Sequence, residues 1–435
     1  MVNQRFVIEG GHPIGGRIRP SGNKNAALPL IAATLLTDDE VVLTNVPAIR
    51  DVEALVSILR DLGVTVTPRG TGAIAFRADR VNGDEPNPEV CKQIRASILL
   101  AGPLLARRGH VRLPLPGGDV IGRRRIDTHV LALEALGGSV ETGSGQYVFT
   151  APKQLVGADV FLDEASVTGT ENAVMAAALA LGTTVIENAA CEPHVQDLAR
   201  LLVKMGAQID GIGSNVMTVH GRDKLGGAEH RICPDHIEVA SFMALAAATK
   251  GELRVRDTEP EDLVMIRRQF RRLGLQSMVE GNDVLVPPEQ VLRIRPDLGE
   301  ATPKVEDGPW PAFPADLTSI ALALATQADG MVLIFEKMFE NRLFFVDKLV
   351  AMGARITLCD PHRAIVYGPS RLHGERVDSP DIRAGMAMLI AALAADGTSE
   401  IGNIVQIDRG YERIDLRLRE LGARIERVSV EPVPA

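Results

Sequence analysis

Six times along the chain an amphipathic stretch closes on Leu-Gly or Met-Gly and gives way to a short run of alternating apolar residues. The copies read VSILRDLGVTV, LALEALGGSV, RLLVKMGAQI, RQFRRLGLQS, DKLVAMGARI and RLRELGARI. Their glycines are Gly63, Gly137, Gly206, Gly274, Gly353 and Gly422, spaced 68 to 79 residues apart. A glycine just past a helix and just before a strand is the expected left-handed C′ residue, since it takes that conformation without a side-chain clash. Its recurrence at a near-constant interval marks a repeated unit, which limits the folds open to the chain.

Ahead of each copy lies a second helical stretch, apolar nearly all round and rich in alanine: NKNAALPLIAATLL (23–36), IRASILLAGPLLA (94–106), TENAVMAAALALG (170–182), IEVASFMALAAAT (237–249), DLTSIALALATQA (316–328) and IRAGMAMLIAALA (382–394). Helices without a polar face are buried on every side. Aromatic residues make up only 3% of the chain, so the core is built from Ala, Leu, Val, Ile and Met. A short strand pattern follows each buried helix, and five copies carry one more: AIAFRA, QYVFTA, VMTVHG, DVLVPP and RAIVYG. The reading is an α/β protein of six βαβαββ-like repeats, three per domain, because three units can enclose their own buried helices.

The net charge of −9 argues against a general nucleic-acid binder. The four cysteines, Cys91, Cys191, Cys233 and Cys359, form no C-x-x-C pair and read as reduced thiols, not a zinc site or a redox dithiol. No secretory signal is visible in MVNQRFVIEGG. The apolar stretch ASILLAGPLLA is too short to span a bilayer. A cytoplasmic, soluble protein is expected.

Against this acidic background, cations gather where the helices begin. Lys24, Arg95 and Arg383 open buried helices, where the positive end of the helix dipole disfavours them unless an anion is near. Arg124, Arg342 and Arg409 stand before three of the amphipathic helices, in GRRRIDTH, FENRLFF and IDRGYERI. Free N–H groups with lysine or arginine make an anion site, and arginine pairs bidentately with phosphate or carboxylate. A shared anionic ligand is therefore expected. One or both of Arg123 and Arg125 read as surface charges, and Ser, Thr and Asp at the helix starts also serve as ordinary caps.

The motifs SGNKNAALPL, IRASI, PGGDVIGRR, SVTGTEN, FPADLTS, FENR, DIRA and IDRGYERI occur in this order over almost the whole chain. In this the chain resembles the UDP-N-acetylglucosamine 1-carboxyvinyltransferase family of enolpyruvyl transferases. The motifs of the related 3-phosphoshikimate enzymes are not found. The resemblance implies two inside-out α/β barrels, one over 21–230 with a catalytic loop at about 111–123, the other over 1–20 with 231–435, and an active site between them. It implies enolpyruvyl transfer from phosphoenolpyruvate to the 3-hydroxyl of the sugar with release of phosphate, without metal or cofactor, at the entry to peptidoglycan synthesis. Carried over by motif, Lys24 and Asn25 contact phosphoenolpyruvate, while Arg124 and Arg409 clamp its phosphate or carboxylate. Arg95, Arg124, Arg125, Ile126, Asp127, Thr128, Glu164, Ala165, Ser166, Val167 and Met338 face the UDP-sugar. Asp316 is the candidate base near the 3-hydroxyl, and Arg342, Asp381 and Arg383 line the reaction centre.

Asp119 takes the place of the family's usual loop cysteine and reads as the proton donor of a lid whose Gly117, Gly118, Pro114 and Pro116 suit hinges. His236, Glu164 and Gln406 also depart from common family residues, which bears on nucleotide contacts. Asp119 implies resistance to fosfomycin, the epoxide that alkylates the usual cysteine. Two rival readings are a 3-phosphoshikimate enzyme and a non-catalytic sugar-nucleotide binder. Protein partners are not indicated. His129, one turn into its helix, reads equally as a sugar-nucleotide contact or a structural histidine.

Overall fold

The computed structural model describes residues 3–83, 85–143 and 145–430. All six repeat glycines have positive φ, between +92° and +104°, each ending an outer helix and turning the chain into a strand. The buried helices are Lys24–Ala33, Ala101–Arg108, Val167–Ala177, His236–Ala248, Thr318–Ala325 and Ile382–Ala394. Every residue of His236–Ala248 is buried.

The second buried helix departs from the expected continuous stretch. Arg95–Leu100 is a 3-10 helix, and the α-helix begins only at Ala101. Pro103 explains the break. It has no N–H for the Leu99 carbonyl, and its ring crowds that carbonyl, so α-helical bonding cannot run through from the earlier turn. At the third position of the α-helix the missing N–H costs nothing.

The chain forms two compact units. The first comprises Gly22–Asp119 and Arg124–Cys233; the second comprises the chain up to Ser21, Val120–Arg123, and everything from Pro234 on. In each unit three buried helices pack together within one apolar cluster, dominated by Ala, Leu and Ile. The described sheets are five of four strands and one of three. Within a repeat the strand after the buried helix pairs antiparallel with the last strand of the unit, as Thr183–Glu187 does with Val216–His220.

The sixth repeat takes its missing strand from the start of the chain. Asn3–Glu9 lies between Thr398–Gly402 and Arg424–Val430, antiparallel to both. It occupies the place that Ile74–Arg77 fills in the first repeat, between Val41–Thr44 and Thr65–Pro68. This accounts for the extra strand pattern appearing in five copies and not six.

Candidate active site

In the first unit, Asn23 caps the helix Lys24–Ala33, its side chain accepting from the Ala26 N–H at 3.1 Å. Lys24 is thereby fixed at the first helical position, 8% exposed, with Nζ 2.9 Å from Asp51 Oδ2. Asp51 is itself 4% exposed, in the first turn of the next helix. Asn25 is half-buried beside it.

Arg95 turns to the stretch before the helix Asp127–Ala135, donating to the carbonyls of Arg124 at 2.7 Å and Arg125 at 3.1 Å. Burial, then the neighbouring Arg124, lower its guanidinium to about 10. Arg125 is exposed and paired with Asp127 and Asp163 at 3.2 and 3.0 Å. Ile126 is buried at the N-cap. Thr128 is buried and donates to Asp163 Oδ1 at 2.7 Å. Asp163 thus ties together the residues expected to face a nucleotide, a role the sequence did not reveal. Beside it Glu164 is exposed, Ala165 and Val167 are half-buried, and Ser166 caps the helix Val167–Ala177.

His129 proves structural. Asn172 accepts from the Gly102 N–H through Oδ1 and donates through Nδ2 to the Ile98 carbonyl and to His129 Nδ1 at 2.8 Å. The proton of His129 is then on Nε2, directed at Thr168 Oγ1, 3.1 Å away. Burial, followed by Arg95, lowers this imidazole to about 3, so it is neutral.

The loop glycines also allow close approach of the backbone to its neighbours. A Cβ at Gly117 would lie 1.6 Å from the Lys92 carbonyl oxygen. One at Gly118, where φ is +104°, would lie 2.9 Å from Arg95 Cβ and 3.5 Å from Arg124 Nη1. Asp119, half-buried, therefore follows a backbone pressed against the two arginines. In the second unit, Ile121 accepts from the Asn341 N–H at 3.0 Å, and Glu340 Oε2 accepts from the Arg123 N–H at 3.2 Å.

The second unit holds a tighter constellation. Asp316 stands in the short turn before the helix Thr318–Ala325. Its Oδ1 accepts from Arg342 Nη2 at 3.0 Å, and its Oδ2 from Arg383 Nε and Nη2 at 3.0 and 2.9 Å. Both arginines are 4% exposed. Burial is the largest single influence on Arg342 and opposes its charge, but Asp316, Glu336 and Asp381 together outweigh it and hold the guanidinium above its usual value. Asp381 caps the helix Ile382–Ala394, accepting from the N–H groups of Arg383 and Ala384, both at 2.9 Å. His236 meets the Trp310 ring edge-on at 5.9 Å. Burial, then Arg383, lower it to about 4, so its ring is neutral.

Met338 is 37% exposed, its N–H directed at Glu336 Oε1 at 3.3 Å. Arg409 ends the short helix Val405–Asp408 and donates to Gln406 Oε1 at 2.9 Å. Arg409 stands apart from a regular helix start, because the sixth outer helix is broken in two, with Arg413 left-handed at φ +41°.

The cations at helix starts call for one correction. Lys24 and Arg383 already have carboxylate partners within the protein, Asp51 and Asp316, so their positions alone do not require an anionic ligand. The acids come from distant parts of the chain, and no local pattern announces them.

Residues 8–418 match the family described as EPSP synthase (3-phosphoshikimate 1-carboxyvinyltransferase). Relatives named UDP-N-acetylglucosamine 1-carboxyvinyltransferase are similar over nearly the whole length. The one from Bradyrhizobium diazoefficiens is 59% identical, covering 98% of this chain and 99% of its own. The one from Treponema denticola is 54% identical, covering 97% and 98%. Among solved structures, the enolpyruvyl transferase NikO from Streptomyces tendae superposes with a TM-score of 0.87 at 24% identity, over 99% of this chain and all of its own. EPSP synthase from Acinetobacter baumannii gives 0.75 at 18%, over 98% of this chain and all of its own. These two show the two-domain α/β fold of enolpyruvyl transferases. The chain belongs to the enolpyruvyl transferases and, among them, to the UDP-N-acetylglucosamine 1-carboxyvinyltransferase family.

Proposed function

We infer that the protein transfers the enolpyruvyl group of phosphoenolpyruvate to the 3-hydroxyl of UDP-N-acetylglucosamine, releasing phosphate, as the first committed step of peptidoglycan precursor synthesis. The observation that carries this is the 59% identity, across essentially the full length of both chains, to the Bradyrhizobium diazoefficiens relative of that name. Anchored carboxylates and guanidiniums of the kind this chemistry uses support it.

The reaction is addition followed by elimination. Addition needs a proton delivered to the methylene carbon of phosphoenolpyruvate and one taken from the sugar hydroxyl as its oxygen bonds to the adjacent carbon. Asp119 is the proposed donor and Asp316 the proposed acceptor. Elimination then removes a proton from the new methyl group and expels phosphate, restoring the double bond. Lys24, Arg124 and Arg409 stabilise the charge on phosphate and carboxylate as it shifts. Arg342 and Arg383 hold Asp316 by three hydrogen bonds, so its orientation is set before substrate arrives. Arg95, the segment Arg125–Thr128 and the segment Glu164–Val167 are the proposed UDP-sugar contacts, and Asn25, Met338 and Asp381 complete the set.

Among the described residues no helix is long and apolar enough to cross a membrane, which suits an enzyme acting on soluble nucleotides in the cytoplasm. The test is phosphate release from phosphoenolpyruvate, dependent on UDP-N-acetylglucosamine and lost in Asp119→Asn. Release dependent on shikimate 3-phosphate instead would assign the protein to the other enolpyruvyl transferase activity. Sugar-nucleotide binding without release would make it a binding protein.

A further inference from the structure

The strands Lys304–Glu306 and Gly330–Phe335 run parallel, with Glu306 opposite Phe335. One residue further, Asp307 and Glu336 leave the sheet side by side, the Asp307 N–H donating to the Phe335 carbonyl at 3.3 Å. They are 1% and 0% exposed. Asp307 Oδ1 accepts from the Lys337 N–H at 2.5 Å, and Glu336 Oε1 from the N–H groups of Met338 and Phe339 at 3.3 and 3.1 Å. The remaining oxygens, Asp307 Oδ2 and Glu336 Oε2, are buried and make no hydrogen bond, and the Thr318 hydroxyl, itself buried and unpartnered, is a neutral donor beside Glu336. The two carboxyl groups are within hydrogen-bonding reach of each other. Two ionised carboxylates so deeply buried would repel, whereas one proton between them satisfies both free oxygens.

Arg342 stands against this pair. Its Nε is 3.6 Å from Glu336 Oε2 and makes no hydrogen bond, while Nη2 is committed to Asp316. An ionised Glu336 would draw Nε to the ~2.7–2.9 Å of a charge-assisted bond and compete with Asp316 for the guanidinium. A neutral Glu336 leaves Arg342 where it is, over the Phe339 ring at 5.1 Å.

We propose that Glu336 keeps its proton at neutral pH and donates it to the free oxygen of Asp307, and that the two are positioning residues for Arg342, keeping its guanidinium on Asp316. The inference rests on the reading of Asp316 as the group that receives the hydroxyl proton. The groups facing Glu336 are Asp307, Arg342 and the Thr318 hydroxyl, with Asp316, Asp381 and Arg383 beyond Arg342. Lys337 turns its side chain to Glu306, and His362 engages only the main chain of Glu336. Burial, then Asp307, raise Glu336 to about 8 against the pull of Arg342.

The test reads the proton directly. Infrared difference spectra of wild type against Glu336→Gln are expected to show a protonated-carboxyl C=O band at pH 7 that belongs to Glu336 and disappears with a midpoint near pH 8. In Asp307→Asn the midpoint is expected to fall by about one unit or more, because the carboxyl neighbour that raises it is gone. In turnover, kcat of the wild type is expected to fall with the same midpoint and KM to stay level, an inflection that Glu336→Gln lacks. Identical spectra for wild type and Glu336→Gln at pH 7, or an unmoved midpoint in Asp307→Asn, would overturn the proposal. The spectra need no substrate, so a protein that proved inactive with UDP-N-acetylglucosamine would refute the functional reading and leave this result standing on its own.

Discussion

Replacing Asp316 by alanine removes the carboxylate shared by two arginines that are each 4% exposed. Three charge-assisted hydrogen bonds go with it. Arg342 then keeps Glu336 at 3.6 Å, the Phe339 ring at 5.1 Å and the more distant Asp381, and Arg383 keeps the Tyr411 ring at 5.5 Å and the more distant Asp235. Breaking a buried ion pair from one side costs about 3–5 kcal/mol, mostly the penalty of the stranded charge. The side chain of Asp316 is 27% exposed, so water reaches the position and the lower end applies, about 3 kcal/mol. For a unit of this size that is a fall in Tm of roughly 6–12 °C. Asp316→Asn keeps one acceptor oxygen and fills the volume, so its loss of stability is smaller. Both variants lose the proposed proton acceptor, and kcat is expected to drop about 10²–10⁴-fold in each. Urea unfolding and phosphate release, measured on the same preparations, separate the two effects. A loss below about 1 kcal/mol in Asp316→Ala would mean that the arginines find other acceptors, and that the clamp is not what fixes them. Activity near wild type in Asp316→Asn would remove Asp316 from the chemistry.

Lys24→Met removes the cation 2.9 Å from the buried Asp51, and kcat is expected to fall at least about 10²-fold with a parallel loss of stability; adding Asp51→Asn should restore the stability and not the rate, and near-normal activity in Lys24→Ala would refute the role. The wild type is expected to resist fosfomycin and Asp119→Cys to become sensitive, because a carboxylate is a poorer nucleophile than a thiolate; a covalent adduct on Asp119 by mass spectrometry would contradict this. Stability is expected to fall as pH rises through the Glu336 transition: the folded protein keeps a proton to about pH 8 that the unfolded chain releases near 4.5, so the contribution is full below 4.5 and gone above 8. The slope in that window is about 1.4 kcal/mol per pH unit and should be absent from Glu336→Gln, so equal slopes in urea unfolding at pH 5, 7 and 9 would refute it.

Much of the fold was legible because it is written in short-range terms. The sign of φ at Gly63, Gly137, Gly206, Gly274, Gly353 and Gly422 follows from what glycine alone tolerates, and the burial of the alanine-rich helices follows from their lack of a polar face. The strand Asn3–Glu9 was not legible as the missing member of the sixth sheet from pattern alone, since its partners lie some 400 residues away. The pairing of Asp307 with Glu336 comes from a parallel register that sequence spacing does not encode. The same limit governs the cations at helix starts. A lysine or arginine at the positive end of a helix signals that a negative partner exists, but not whether a ligand or a distant side chain provides it.

The fold separates the three cases that the sequence treated alike. Lys24 and Arg383 have Asp51 and Asp316, so an incoming anion must share them or displace a carboxylate. Arg95 differs: its acceptors are main-chain carbonyls, no carboxylate among the described residues pairs with it, and burial with Arg124 lowers it to about 10. A half-buried guanidinium held by carbonyls has its geometry fixed and its charge uncompensated, so an anion arriving there gains the full attraction without first breaking an ion pair. Of the three helix-start cations, only Arg95 therefore keeps an uncompensated charge for the proposed anionic substrate, whereas at Lys24 and Arg383 the fold already supplies a carboxylate.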